Sequence, residues 1–192
     1  MIALLASLII STNATPRELV ASCRSMIPAK AEISGRIILR NRKGIPQAEH
    51  AYTLSRSAGR TELKVDGEPL PQPAATEKAQ PILGTDVTWS DLTLEYLWWD
   101  ESEFDVERES ETVNGQNCAV LLLKKGARTV RVWVERKTGA MMQAEELEDG
   151  AMKRRLWGTR LKKFGERWVP NVLEVETAGS GHRTKITVED LK

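Results

Sequence analysis

Past the first thirty or so residues the chain is cut by turn signals roughly every ten residues, and this rhythm restricts the fold more than any other feature. The signals are Arg42-Lys43-Gly44, Asp66-Gly67, Asn114-Gly115, Lys137-Thr138-Gly139, Asp149-Gly150, the stretch KKFGER and the stretch GSGHRTK. Between them, side chains alternate. Ile33, Gly35, Ile37 and Leu39 interleave with Ser34, Arg36, Ile38 and Arg40, and Ala48, His50, Tyr52 and Leu54 follow the same period. Val130, Val132 and Val134 interleave with Arg131, Trp133 and Glu135. A period of two places successive side chains on opposite faces of a strand. Strands joined by short turns make an antiparallel meander.

Helical periodicity is confined to two short places. Thr15-Pro16-Arg17-Glu18 is a capping box with proline at the first helical position. Leu19, Val20, Cys23, Met26 and Ile27 then share one helical face until Pro28 stops the run. Ser90 is a second expected N-cap, opening a helix from Asp91 to Trp98 with an acid in its first turn. The expected fold is therefore mainly β (α+β): a large curved antiparallel sheet with two short helices. Two short helices cannot fill a wide concave face. Either the strands close into a barrel, or an apolar groove remains beneath movable helices.

The chain of 192 residues fits one domain, expected over residues 15–192. Residues 1–14 begin with an apolar run and end in small polar residues, the pattern of a signal-peptide remnant, which points to export into the periplasm. That run is too short to span a bilayer, which takes about 20 apolar residues. Val20-Ala21-Ser22-Cys23 has the look of a lipoprotein cleavage box, but Arg17 and Glu18 separate it from the apolar run.

Aromatic surface is concentrated in one window. The chain has 6 Trp against 2 Phe, and Trp89, Trp98 and Trp99 all fall between Gly84 and Phe104. Adjacent Trp98 and Trp99 cannot easily serve one core surface. On a lid that is partly buried and partly faces an apolar ligand, both rings have a use, because tryptophan tolerates water at its N–H end. The alternative is that these rings cap the core. The groove candidates are Trp89, Leu92, Tyr96, Trp98 and Trp99 on the lid, with Val132 and Val134 on the inward strand face.

Several function classes find no support. A formal net charge of +1 and basic residues scattered at turns argue against a nucleic-acid face. His50 and His182 are far apart and belong to no metal-ligand spacing, so no metal or cofactor is expected. The acidic clusters lie beside turns, and no nucleophile accompanies a base, so no enzyme is expected. Cys23 and Cys118 fit either a disulfide tying helix to strand or two small buried hydrophobes.

The stretch GTDVTWSDL, Gly84 to Leu92, resembles a segment of the outer-membrane lipoprotein-sorting protein family, the LolA-like carriers. VRVWVERKTGAMMQAEELEDGAMKRR and GERWVPNVLEVETAGSGHRTKITVEDL resemble that family's later strands and hairpins, in the same order. The resemblance implies a LolA-like fold, a half-open, curved antiparallel half-barrel sheet covered by short helices. It also implies a periplasmic interior that accepts acyl chains of lipoproteins or lipids, supplied by an inner-membrane donor and passed to an outer-membrane acceptor. The wider family includes modules that sense lipoproteins, so a sensor or scaffold binding a protein partner is the competing expectation.

Overall fold

The structure is a computed structural model that describes residues 14–57, 59–108, 110–165 and 167–192. The expected signal segment lies outside these residues up to position 13. Helix α1 (Pro16–Met26) opens on the capping box anticipated from sequence: the Thr15 hydroxyl accepts from the Glu18 N–H while the Glu18 carboxylate accepts from the Thr15 N–H. Among the described residues twelve strands follow: β1 (Ala31–Asn41), β2 (Pro46–Ser57), β3 (Arg60–Val65), β4 (Glu68–Leu70), β5 (Glu101–Phe104), β6 (Ser110–Val113), β7 (Gln116–Lys125), β8 (Arg128–Glu135), β9 (Met141–Glu148), β10 (Ala151–Phe164), β11 (Arg167–Thr177) and β12 (His182–Leu191). Between β4 and β5 lie helix α2 (Trp89–Thr93) and a 3-10 turn (Glu95–Trp98).

All strands belong to one antiparallel sheet in the order β4-β3-β2-β1-β12-β11-β10-β9-β8-β7-β5, with β6 also on β7. The barrel alternative is not realised: β4 and β5 sit at opposite ends of this order and do not pair. Tight turns hold most of the meander in register. Asp66-Gly67, Asn114-Gly115 and Asp149-Gly150 each have both residues at positive φ, the geometry whose twist matches flanking strands. Joining β1 to β12 is a longer-range event. It sets Ile37 opposite Ile186 and Leu39 opposite Thr184.

The sheet has a helix-covered face and an outer face. On the covered face, two apolar clusters meet. One packs Leu19, Val20 and Cys23 of α1 on Leu121, Leu123, Val130, Val132 and Val134. The other gathers Ile37, Tyr52, Leu54, Leu63, Leu156 and Ile186 beneath Val87 and Trp89. Leu94 and Met141 touch both clusters. On the outer face a small cluster of Cys118, Val120 and Trp133 lies beside a buried ion triad, in which Arg131 reaches Asp105 at 2.6 Å and Glu145 at 3.4 Å. The disulfide alternative fails for this reason: Cys23 and Cys118 are free and lie on opposite faces of the sheet. Burial pushes the Cys23 thiol up to about 12, so it stays protonated and donates to the Gly139 carbonyl.

Candidate functional site

The cover over the sheet is built differently from the expected single helix. Thr88, not Ser90, caps α2: its hydroxyl accepts from the Asp91 N–H, and Asp91 accepts from the Thr88 N–H. The helix ends after five residues because Leu94 turns left-handed at φ 53°, and the chain continues as the 3-10 turn. This kink lets the segment bend along the sheet. Trp89 fills one cluster, and Tyr96, Leu97 and Trp99 fill the other.

The same break accounts for the adjacent tryptophans. Trp99 is extended at φ −72°, ψ 150°, so consecutive side chains diverge. Trp99 is 5% exposed and Trp98 is 47% exposed, with the Arg56 guanidinium 5.3 Å from the Trp98 ring. Among the sequence candidates, Trp89, Tyr96, Trp99, Val132 and Val134 are buried between lid and sheet, and Leu92 is half-buried there. Trp98 faces outward.

Four arginines tie the lid down, and none was selected from sequence. Arg154 on β10 meets Asp91, donates to the Thr88 hydroxyl at 3.0 Å and pairs with Glu146 at 2.8 Å. Arg56 on β2 donates to the Thr93 carbonyl at 2.9 Å. Arg24 of α1 donates to the Leu97 carbonyl. Arg128 on β8 lies 4.9 Å from the Trp99 ring and pairs with Glu95 at 3.2 Å. A signal existed for two of them: Tyr52, Leu54 and Arg56 share one strand face, as do Arg154 and Leu156. Backbone carbonyls left over at the ends of short helical turns need donors, and guanidinium groups supply them.

Burial raises the Asp91 carboxyl, against the pull of Arg154 and the two Thr88 donors. Burial also works against the charge on Arg154, but Asp91 and Glu146 outweigh it and raise its pKa. The guanidinium therefore stays charged at any working pH. Glu95 is the opposite case. Burial acts to raise it, but Lys78, Ser90 and Arg128 together hold it below the usual carboxylate range. A carboxylate with a lowered folded pKa stabilises above its unfolded pKa of about 4.3, and that stabilisation is lost as pH falls through the folded value. Acidifying below about pH 4 should therefore loosen the turn from β8 and change Trp99 emission, and Glu95→Gln should remove that part of the acid transition.

Beneath the lid, one small space lies where α2 and the 3-10 turn meet β8 and β10. The space among Asp91, Tyr96, Arg128, Val130, Arg154 and Leu156 amounts to about 10 Å³, at the lower limit for one water. Among the described residues, no group of three or more His, Cys, Asp or Glu could hold a metal ion.

An open curved antiparallel sheet covered by short helices is a LolA-like fold, and solved structures share it. A LolA superfamily protein from Nitrosomonas europaea superposes with a TM-score of 0.75 at 13% identity, covering 93% of each chain. A DUF1329 family protein from Desulfovibrio piger gives 0.68 at 13% identity, again over 93% of each. A protein described as an outer membrane lipoprotein-sorting protein domain, from Vibrio parahaemolyticus, gives 0.62 at 15% identity, over 92% of this chain and 91% of that one. A family model described as "Uncharacterized protein" matches residues 71–192, and the chain belongs to that family. No curated protein sequence matches it.

Proposed function

We propose that this protein is a non-catalytic periplasmic carrier that shelters acyl chains of lipoproteins or lipids between its sheet and its lid. The observation that carries the reading is the composition of the covered face. The sheet presents Leu121, Leu123, Val130, Val132 and Val134 as one apolar strip, and most of its cover comes from α1, the 3-10 turn and Trp99. Those elements are held by side-chain packing and a few discrete polar ties, not by strand pairing, so they can swing without unravelling the sheet. Each CH₂ placed on the uncovered strip is worth about 0.8 kcal/mol, so a partly inserted acyl chain offsets the loss of lid contacts. In this reading Trp89, Leu92, Tyr96 and Trp99 exchange their contacts with the sheet for contacts with the guest. Trp98 lies where the guest enters. An inner-membrane donor loads the groove, and an outer-membrane acceptor empties it.

A second reading, a sensor or scaffold binding a protein partner, is favoured by the narrow space beneath the lid, about 10 Å³ among Asp91, Tyr96 and Arg128, which does not admit an acyl chain. Titration with a fluorescent fatty acid separates the two. The carrier should bind it and quench tryptophan emission, and Arg56→Ala, which frees the Thr93 carbonyl, should tighten apparent binding several-fold. Extraction of native periplasmic protein followed by mass spectrometry should recover lipid or acylated protein. Finding neither, with no probe binding, would leave the partner-binding reading.

A further inference from the structure

A second cleft lies at the rim of the sheet, away from the lid ties. β1 and β12 are neighbours, with Arg40 opposite Arg183 and Asn41 opposite His182, so the turns that follow β1 and precede β12 project side by side. Between them opens a cleft of about 460 Å³, bordered by Arg40, Arg42, Glu176, Thr177, His182 and Arg183 among others. Three guanidinium groups thus face one lining carboxylate, and that carboxylate is already engaged: Glu176 pairs with Arg183 at 2.8 Å and with Arg155 at 2.6 Å. Arg40 is paired with Glu174, and His182 lies 2.9 Å from Asp86.

Arg42 is different. It is exposed, forms no ion pair among the described residues, and reaches over the opposite turn, where a Cβ on Gly181 would stand 3.5 Å from its Nε.

We propose that this rim cleft binds a phosphate ester. Guanidinium forks match phosphate oxygens in pairs, and a phosphate brings up to two negative charges to a lining that has more arginine than free carboxylate. The volume exceeds that of the anion alone, which leaves room for the glycerol or sugar that carries it. Arg42 is the capturing residue, free to close over the anion, and Arg40 and Arg183 border the same cleft. Lys43 and the exposed Ile45 stand in the same turn as Arg42, an arrangement suited to the headgroup layer of an anionic membrane.

Two arms distinguish a soluble ester from a lipid headgroup. In the first, glycerol 3-phosphate and inorganic phosphate are titrated calorimetrically into the full chain at low salt. In the second, the chain is sedimented with phosphatidylcholine vesicles that contain or lack phosphatidylglycerol. Binding in the first arm alone assigns the site to soluble esters, and binding only to phosphatidylglycerol vesicles assigns it to a headgroup. Either supports the site if Arg42→Glu weakens binding at least tenfold while Lys125→Glu, the same charge change at another exposed position, weakens it less than twofold. Both positions are exposed, so both variants should keep the wild-type circular dichroism. No binding in either arm, or equal weakening by the two substitutions, overturns the proposal. The acyl-probe titration of the lid is a separate measurement and does not move with this outcome.

Discussion

Arg154→Met should lower the unfolding free energy by about 3–5 kcal/mol, because it leaves the Asp91 carboxylate buried and without its cation. Both side chains are nearly inaccessible, at 8% and 5% exposure, so water cannot take the place of the guanidinium. For a chain of this size each kcal/mol lowers Tm by about 2–4 °C, so the midpoint should fall by roughly 6–20 °C. The sign of the pH dependence identifies the cause. With Arg154 gone, burial acts on Asp91 without the opposing cation, and its folded pKa, already above the unfolded one, rises further. The folded state then binds more protons than the unfolded state, so the variant should recover part of its loss as pH falls from 7 towards 5. Asp91→Asn in the Arg154→Met background should restore stability at neutral pH, since a neutral amide leaves no unpaired charge. A loss below about 1 kcal/mol, unchanged by pH, would show that the lid is not anchored through this pair.

Gly35→Ala should cost about 3 kcal/mol or more, at or above the top of the range for overpacked sites. A Cβ there would lie 1.8 Å from the Thr187 carbonyl oxygen and 3.2 Å from the Tyr52 ring. The sheet is irregular at this point, with a register shift between Ser34 and Gly35, and the Tyr52 hydroxyl donates to the same Thr187 carbonyl at 3.2 Å. Relief requires β1 to separate from β12, the pairing that joins the two ends of the chain. Gly158→Ala is the control: its Cβ would meet Pro170 at 3.4 Å, an ordinary contact, and the change should stay within about 1 kcal/mol. Urea midpoints for the two variants give the comparison directly.

Much of the lid was legible in part and wrong in detail. Aromatic density between Gly84 and Phe104 marked the segment, and the register of Val130, Val132 and Val134 marked the strand beneath it. Ser90 looked like the cap because it precedes an acid, but Thr88 has both partners of a capping box, which local pattern alone did not rank. Leu94 carries no sequence sign of a left-handed residue. Its conformation is stabilised by what the bend gains, namely burial of Tyr96, Leu97 and Trp99. The four lid arginines come from α1, β2, β8 and β10, and only the folded register brings them to one seam.

The sequence by itself determined the strand periodicity, the Asp-Gly and Asn-Gly turns, the capped first helix and the mainly β class, because each depends on residues within a few positions of one another. Only the tertiary structure decided that β1 pairs with β12, that the sheet stays open, that the lid breaks at Leu94 and that arginines lock it. Those features depend on contacts between residues tens of positions apart, whose energies exist only once the chain has closed on itself.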